Sequence, residues 1–179
     1  PLRAMGRLAR QYRRRFDIPV VAITGSAGKT TAKEMIAAVL ERRYPVLRTP
    51  ANENNEIGVP RALLGLTAKH GAAVVEMGAR HAGDIAYLCR IAQPTVGVLL
   101  NVGAAHLEVF GSVERVAKAK GELLDFTGGE SCLALVNADD CVIAREAKRT
   151  KGRLLGFGWR RESHFSGEGL ALDQEGCGH

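Results

Sequence analysis

Short runs of aliphatic residues alternate along the chain with longer segments of helical periodicity. The first run, PVVAIT at residues 19–24, leads through a glycine turn into a helical pattern over residues 31–43, with apolar positions at 35, 36, 39 and 40. The same succession recurs as far as residue 158. Further strands are predicted at 46–49, 72–78, 95–101, 132–139 and 153–158, and further helices at 2–15, 57–66, 82–92, 113–124 and 140–149. Aliphatic strands between amphipathic helices predict an α/β fold, a mostly parallel sheet flanked by helices.

The helix over residues 113–124 carries a lysine on its apolar side. Its inward positions, in helical spacing, are Val113, Val116, Ala117, Lys120 and Leu124. Lys118 points the other way. Desolvating a charged amine is costly, so three interpretations of Lys120 are open. It is an amine that reaches solvent at the edge of the stripe, a cation facing phosphate, or a neutral amine with a lowered pKa that forms a carbamate beside magnesium.

The composition narrows the function classes. The 179 residues are 46% hydrophobic and 25% charged, as in an ordinary soluble globular protein. No run approaches the roughly 20 apolar residues of a membrane span, so we expect no membrane insertion. The net charge of +6 lies mainly in RLARQYRRRF near the N-terminus and in residues 145–161, without the interleaved aromatic residues of a single-strand nucleic-acid platform. We therefore expect no nucleic-acid partner, and assign the charge to a solvated face or to the attraction of anionic nucleotides.

The cysteines point to a reducing compartment. Four are present, at Cys89, Cys132, Cys141 and Cys177, and they form neither a C-x-x-C pair nor a zinc-binding spacing. Cys89 and Cys132 lie in apolar patterns. We expect reduced thiols in a cytoplasmic protein.

A glycine-rich loop joins the first strand to the helix that follows it. The loop reads TGSAGKTT over residues 24–31, and its candidate nucleotide-binding residues are Gly25, Ser26, Ala27, Gly28, Lys29, Thr30 and Thr31. The glycines let backbone amides turn toward a polyphosphate, Lys29 would reach its terminal phosphates, and the Thr30 hydroxyl would ligate Mg²⁺. Ile23 stands where the longer G-x-x-x-x-G-K-[ST] motif has its first glycine. The alternative is a tight strand-to-helix turn with an exposed lysine.

Polar residues also follow the other strands, where parallel sheets collect ligands. Glu76 ends the second long strand, where it can reach the magnesium of the loop or simply lie on the surface. Asn101 and His106 follow the third strand. His106 is either a metal ligand or a structural hydrogen-bonding residue. Asp139 and Asp140 follow the fourth, near a nucleoside or as helix caps, with capping preferred. The loop asparagines Asn52, Asn54 and Asn55 line a substrate cleft or form a turn.

Six segments in this order resemble the central ATP-binding domain of the Mur ligases: TGSAGKTT, NENNEIGVP, VVEMGA, NVGAAHLEVFGS, VAKAKGE and LVNADD. The resemblance covers residues 18–158, and AHLE followed by FGS and AKGE is its most specific part. It implies two magnesium ions held by Thr30, Glu76, His106 and Lys120, the lysine carbamylated in many members. It also implies catalytic roles for Lys29, His106 and Lys120. Ala51 departs from the family loop, which has glycine there.

Within the family the motifs are most similar to ligases of peptidoglycan precursor synthesis. The resemblance implies a cytoplasmic, monomeric, ATP-dependent enzyme that joins D-Ala-D-Ala to UDP-N-acetylmuramoyl-tripeptide through an acyl phosphate. Residues 1–17 would then be a basic helix and linker from an N-terminal UDP-sugar domain. Residues 18–179 would be an ATP-binding domain incomplete at its C-terminal end, and we expect this piece to be inactive alone. The alternatives are another Mur or folylpolyglutamate synthase-like ligase, and a nucleotide-binding module without catalysis.

Overall fold

A computed structural model of the chain describes residues 1–103 and 107–167 and confirms the predicted α/β fold. Within these two ranges, seven strands form one sheet in which every pair is parallel, in the order β2-β3-β1-β4-β5-β6-β7. The strands are β1 (Val20–Thr24), β2 (Val46–Arg48), β3 (Ala72–Glu76), β4 (Val96–Leu99), β5 (Leu133–Asn137), β6 (Arg153–Gly158) and β7 (Phe165–Ser166). The first six correspond to the predicted strands, each ending slightly earlier or at the same residue.

Helices cover the sheet on both faces, as predicted. They are α1 (Leu2–Arg13), α2 (Lys29–Glu41), α3 (Gly58–Leu63), α4 (Asp84–Ala92), α5 (Leu107–Phe110), α6 (Val113–Asp125) and α7 (Cys141–Glu146), and a 3₁₀ turn follows at Ala147–Arg149. Only α5 lacks a counterpart among the predicted helices. Among the described residues, none of the helices combines the length and the apolar character that crossing a bilayer requires.

The main core lies between the sheet and the helices α3, α4 and α6. Strands β1 and β3 are buried along their whole length, as central strands of a parallel sheet are. Helix α1 packs outside α3 and α4 and belongs to this core: Ala9 is fully buried, and the Tyr12 hydroxyl donates to the Leu66 carbonyl at 2.7 Å. The Arg13 guanidinium donates to the Ala92 carbonyl at the end of α4, at 3.0 Å.

Helix α2 lies on the opposite face of the sheet. The side of α2 that faces the sheet differs from the one predicted from its apolar positions. Met35 and Val39 are 65% and 72% exposed, whereas Lys33 and Ala37 are fully buried. Small alanines bring α2 close to the sheet, and the ammonium of Lys33 finds backbone carbonyls there, so a charged residue takes the inward position. The larger side chains Ile36 and Leu40 pack partly at the edges of this contact.

The cysteines are free thiols in the part of the chain that the structure describes. Cys89 is buried in the main core, Cys132 is half-buried and Cys141 is exposed. Burial raises the pKa of the Cys89 thiol, as expected for a thiol in apolar surroundings. Cys177 lies outside the described residues.

Candidate functional site

The candidate site residues meet at the carboxyl ends of three neighbouring strands. Strand β1 lies between β3 and β4, so the phosphate loop that follows β1 has Glu76 on one side and Asn101 on the other. Glu76 pairs with Ile23 in the ladder, directly before the loop. The strand connections on either side of β1 run in opposite directions, which is where parallel sheets bind ligands.

The backbone of the phosphate loop favours glycine at both of its glycine positions. Gly28 has φ +75°, a left-handed conformation that lets it precede the first turn of α2. A Cβ on Gly25 would lie 3.0 Å from the Cβ of Leu100, directly after β4, so a larger residue would push the loop or Leu100 away from this close contact. With Gly28 in this conformation, the first amides of α2 lie at the open N-terminus of the helix, where phosphate binds in other nucleotide sites.

Asn101 holds the first half of the loop, a role that the sequence did not reveal. Its Oδ1 accepts from the backbone amides of Ser26 and Ala27 at 3.0 and 2.9 Å, and its Nδ2 donates to the Ala27 carbonyl at 3.0 Å. The Ser26 hydroxyl also accepts from the Gly103 amide at 2.9 Å. Because the Ser26 and Ala27 amides are used in this way, an anion would be bound by other amides, such as those at the start of α2.

Two lysines converge on one carbonyl of the loop. The Lys29 ammonium donates to the Gly25 and Ser26 carbonyls at 3.0 and 3.4 Å, and the Lys120 ammonium donates to the Gly25 carbonyl at 3.0 Å. Lys120 is only 2% exposed, on the buried stripe predicted for α6. The interpretation of Lys120 as an amine that reaches solvent is therefore wrong. Burial, helped by the charge of Lys29, lowers the pKa of Lys120 to about 8.

Glu76 is buried and held from two sides. Its Oε2 accepts from the Thr30 hydroxyl and its Oε1 from the Asn54 amide, both at 2.8 Å. Its backbone amide donates to the Thr49 hydroxyl at 3.0 Å. The carboxylate is 1% exposed, and within the described ranges no lysine or arginine forms an ion pair with it. The interpretation of Glu76 as a plain surface acid is wrong.

The asparagine loop divides between the two roles considered for it. Asn54 orients Glu76, whereas the Asn55 Oδ1 forms a turn directly before α3 by accepting from the amides of Ile57 and Gly58. Asn52 forms part of the wall of a cleft of about 770 Å³, which Asn54 and Asn55 also line. Lys29 and Lys120 reach the same cleft. The cleft is also lined by Leu2, Arg3, Arg80 and His81.

Asp139 and Asp140 lie near the ends of β5 and β6, and capping is the role of Asp140. Its Oδ1 accepts from the Val142 and Ile143 amides at the start of α7, and its Oδ2 from the Val102 amide at 2.9 Å. The Asp139 carboxylate accepts from the Trp159 amide at 2.7 Å. Asp139 and Trp159 line a second cavity of about 400 Å³ together with Asn137 and Phe157.

His106 lies outside the described residues, so its predicted role as a ligand stays a prediction. Within residues 1–103 and 107–167, no group of three His, Cys, Asp or Glu side chains is arranged as a metal site. A divalent cation at this edge of the sheet would therefore depend, among these residues, on the Thr30 hydroxyl and the Glu76 carboxylate.

Both the sequence and the fold of this chain are similar to those of known proteins. Residues 23–178 match the Mur ligase middle domain. The UDP-N-acetylmuramoyl-tripeptide–D-alanyl-D-alanine ligase of Synechocystis is 45% identical over 170 residues, which cover 93% of this chain and 37% of that enzyme. The chain thus spans somewhat more than a third of the length of this relative.

Two solved structures share the fold closely. A crystal structure of MurF from Acinetobacter baumannii has a TM-score of 0.91 and 36% identity, covering 96% of this chain and 38% of that one. The MurF ligase of Thermotoga maritima in complex with ADP has a TM-score of 0.88 and 37% identity, covering 97% of this chain and 40% of that one. The chain belongs to the Mur ligase family and matches its middle domain.

Proposed function

We propose that this chain is the ATP-binding part of a ligase that forms an amide bond between UDP-N-acetylmuramoyl-tripeptide and D-Ala-D-Ala. The observation that supports this proposal most strongly is the convergence of four side chains around a T-G-x-x-G-K-T loop: Lys29, Lys120, Thr30 and the buried Glu76. The relative from Synechocystis bears the name of this activity, and the relative from Thermotoga holds ADP. The rest of the enzyme, including a UDP-sugar domain before residue 18, is part of the same proposal.

A magnesium ion fits the donors on this edge of the sheet. Hydroxyl and carboxylate oxygens are the ligands that Mg²⁺ prefers, and Thr30 and Glu76 present both within hydrogen-bond distance of each other. The buried Glu76 carboxylate forms no ion pair in the described part of the chain, so a cation would offset its desolvation. We assign Thr30 and Glu76 to one ion, and His106 with Lys120 to a second. When bound, the ions would neutralise charge on the transferred phosphoryl group.

The two lysines supply the remaining charge of the site. Lys29 begins α2, from which its ammonium can turn from the Gly25 carbonyl toward the terminal phosphates of ATP. The lowered pKa of Lys120 raises the neutral fraction of its amine near neutral pH. A neutral amine adds to CO₂ and loses one proton to give a carbamate, which would exchange a cation for an oxygen donor.

The second cavity fits the nucleoside of ATP. It lies at the ends of β5, β6 and β7, on the same edge of the sheet as the phosphate loop. Its lining combines the aromatic side chains of Phe157 and Trp159 with the polar side chain of Asn137. Aromatic faces stack on a purine ring, while an amide side chain can pair with its polar edge. The cleft beyond Asn52 would hold the tripeptide carboxylate that attacks the γ-phosphate, before the amine of D-Ala-D-Ala displaces phosphate from the acyl phosphate.

A segment exchange tests the proposed activity. The Escherichia coli ligase of the same name is 48% identical over 138 residues, so this segment can be replaced by that of the present chain and the product followed by mass spectrometry. We expect formation of the UDP-muramoyl-pentapeptide with release of ADP and phosphate, lost in the same chimera carrying Lys29→Ala. A chimera that binds ATP as well as the parent enzyme and forms no pentapeptide would contradict the proposal.

A further inference from the structure

A second buried lysine lies on α2, three residues after Thr30. The Lys33 side chain is fully buried, and its ammonium donates to the carbonyls of Thr49 and Ala51 at 2.8 and 2.6 Å. The proposed function uses none of these contacts. An ion pair with the half-exposed Glu34, at 3.1 Å, offsets part of the desolvation. Burial of a whole lysine is costly, and the hydrogen bonds to the two carbonyls offset a further part of that cost.

The Thr49 carbonyl is free for Lys33 because the sheet ladder changes at this point. The Thr49 amide donates to the Val74 carbonyl at 3.2 Å, as in a regular parallel ladder. The next bond of such a ladder would join the Glu76 amide to the Thr49 carbonyl. Instead, the Glu76 amide donates to the Thr49 hydroxyl at 3.0 Å. The chain therefore leaves the sheet at Thr49 with its carbonyl turned toward α2.

Beyond Thr49 the loop leads directly to the Glu76 carboxylate. Ala51 adopts φ +42°, an uncommon conformation for a residue with a Cβ, and its carbonyl is the second one bound by Lys33. Three residues later the Asn54 side chain donates to Glu76, and the Asn54 carbonyl accepts from the Gly78 amide at 2.8 Å. Lys33 thus holds one end of the segment whose other end holds Glu76.

We propose that Lys33 is a positioning residue for Glu76, acting through the loop of residues 49–54. Helix α2 would then hold the carboxylate twice, directly through the Thr30 hydroxyl and indirectly through Lys33, the loop and Asn54. This inference rests on the proposed nucleotide and magnesium site for its functional meaning. Its structural part, the order of the loop around Glu76, stands independently.

The chemistry of the contact favours lysine over an apolar residue of equal length. Two carbonyls in a buried site need a donor, and a charged donor makes stronger hydrogen bonds than a neutral one. Lys33→Met keeps the length of the side chain and removes the donor. Ala37→Gly is the matched control: it lies one turn further along the buried face of α2, and it weakens the helix without removing a contact to the loop.

Amide hydrogen exchange in this chain tests the structural part. In Lys33→Met we expect the Glu76 and Gly78 amides to exchange at least about tenfold faster than in wild type, relative to amides of β1, because the hydrogen bonds of the loop open together. Ala37→Gly should leave this ratio unchanged. If Lys33→Met does not fold, Lys33→Gln, which restores a shorter neutral donor, takes its place. Equal protection in wild type and variant would overturn the proposal, as would equal loss in the control.

The coupling between magnesium and nucleotide tests the functional part. ATP affinity is measured by calorimetry with Mg²⁺ and with a chelator. The dissociation constant in chelator is divided by the one in Mg²⁺, and this ratio is compared between variants. We expect Lys33→Met to lower this ratio about as far as Glu76→Gln does, with the affinity in chelator unchanged, and Ala37→Gly to keep the wild-type ratio. A wild-type ratio in Lys33→Met would overturn the functional role of Lys33. A ratio of one in the wild-type chain would instead reject the proposed magnesium site, and hydrogen exchange alone would then decide whether Lys33 orders the loop.

Discussion

At the scale of single residues, three charged side chains at this edge of the sheet are almost completely buried. Glu76, Lys33 and Lys120 are each at most 2% exposed. Each Glu76 carboxylate oxygen accepts one hydrogen bond, the Lys120 ammonium donates to one carbonyl, and the Lys33 ammonium contacts two carbonyls and the Glu34 carboxylate. Burying charges of this kind costs desolvation, which their hydrogen bonds and ion pairs offset only in part. Their arrangement at one edge of the sheet is what distinguishes this chain from a generic α/β domain, and it makes their individual effects measurable.

Ala51 gives a prediction for stability. Its φ of +42° strains a residue with a Cβ, whereas glycine adopts this conformation freely. We expect Ala51→Gly to raise the free energy of unfolding by up to about 1 kcal/mol. This is the net gain when relief of the backbone strain exceeds the cost of the larger backbone entropy of glycine in the unfolded chain. Urea denaturation measures the change. The control Ala68→Gly, in an exposed loop without positive φ, should lower the free energy of unfolding instead. A loss in both variants would contradict the account.

Lys120 gives a prediction for pH dependence. Its pKa falls from 10.5 to about 8 on folding, so below pH 8 the amine is charged in both states and the folded state carries the full desolvation. Between pH 8 and 10.5 the unfolded state binds more protons, and this contribution to the stability of the wild type therefore rises with pH. We expect Lys120→Met to be the more stable form below pH 8, with the advantage shrinking toward pH 10.5.

Thermal unfolding in bicarbonate-free buffer across this range measures the Lys120 effect. The exposed Lys118, on the same helix, supplies the control Lys118→Met, which removes one positive charge without relieving burial. An advantage for Lys120→Met that stayed constant from pH 7 to 10.5 would show that altered packing, not the charge, causes it.

At the scale of elements, capping side chains connect the helices to the site. Asp140 begins α7 through Oδ1 and, through Oδ2, holds the Val102 amide just before the segment that carries His106. We expect Asp140→Ala to lower the free energy of unfolding by about 1–2 kcal/mol, because a cap and a second, half-buried hydrogen bond are lost together. Asp140→Asn keeps one acceptor and should lose less than half of that. Equal losses in the two variants, by chemical denaturation, would contradict the double role.

The elements themselves were largely predictable, and the exception is instructive. Strands and helices followed from aliphatic runs and periodicity, and the apolar stripe on α6 was enough to single out Lys120 as an inward-facing residue. The same reasoning applied to α2 selected Met35 and Val39, which are exposed, and passed over Lys33. A stripe of Lys33, Ala37 and Leu40 has helical spacing too, but small and charged residues carry little hydrophobic signal, so the buried face could not be chosen from the pattern.

At the scale of the whole molecule, strand order brings the site together. Glu76 meets Thr30 and Asn101 meets Ser26 only because β1 lies between β3 and β4. Side-chain partners such as Asn54 for Glu76 depend on how loops from different strands cross at this edge. Motif spacing identified the phosphate loop and Glu76, whereas the roles of Asn101, Asn54 and Lys33 required the tertiary structure.

The most direct test of the central claim is the binding of ATP to this chain by calorimetry, with Mg²⁺ and with a chelator. The arrangement of Thr30, Glu76 and Lys29 predicts binding that Mg²⁺ strengthens. The strengthening should be lost in Glu76→Gln, while binding in either condition should be lost in Lys29→Ala. Binding that is equal with and without Mg²⁺, or that persists unchanged in Lys29→Ala, would contradict the assignment of this edge of the sheet as an ATP–magnesium site.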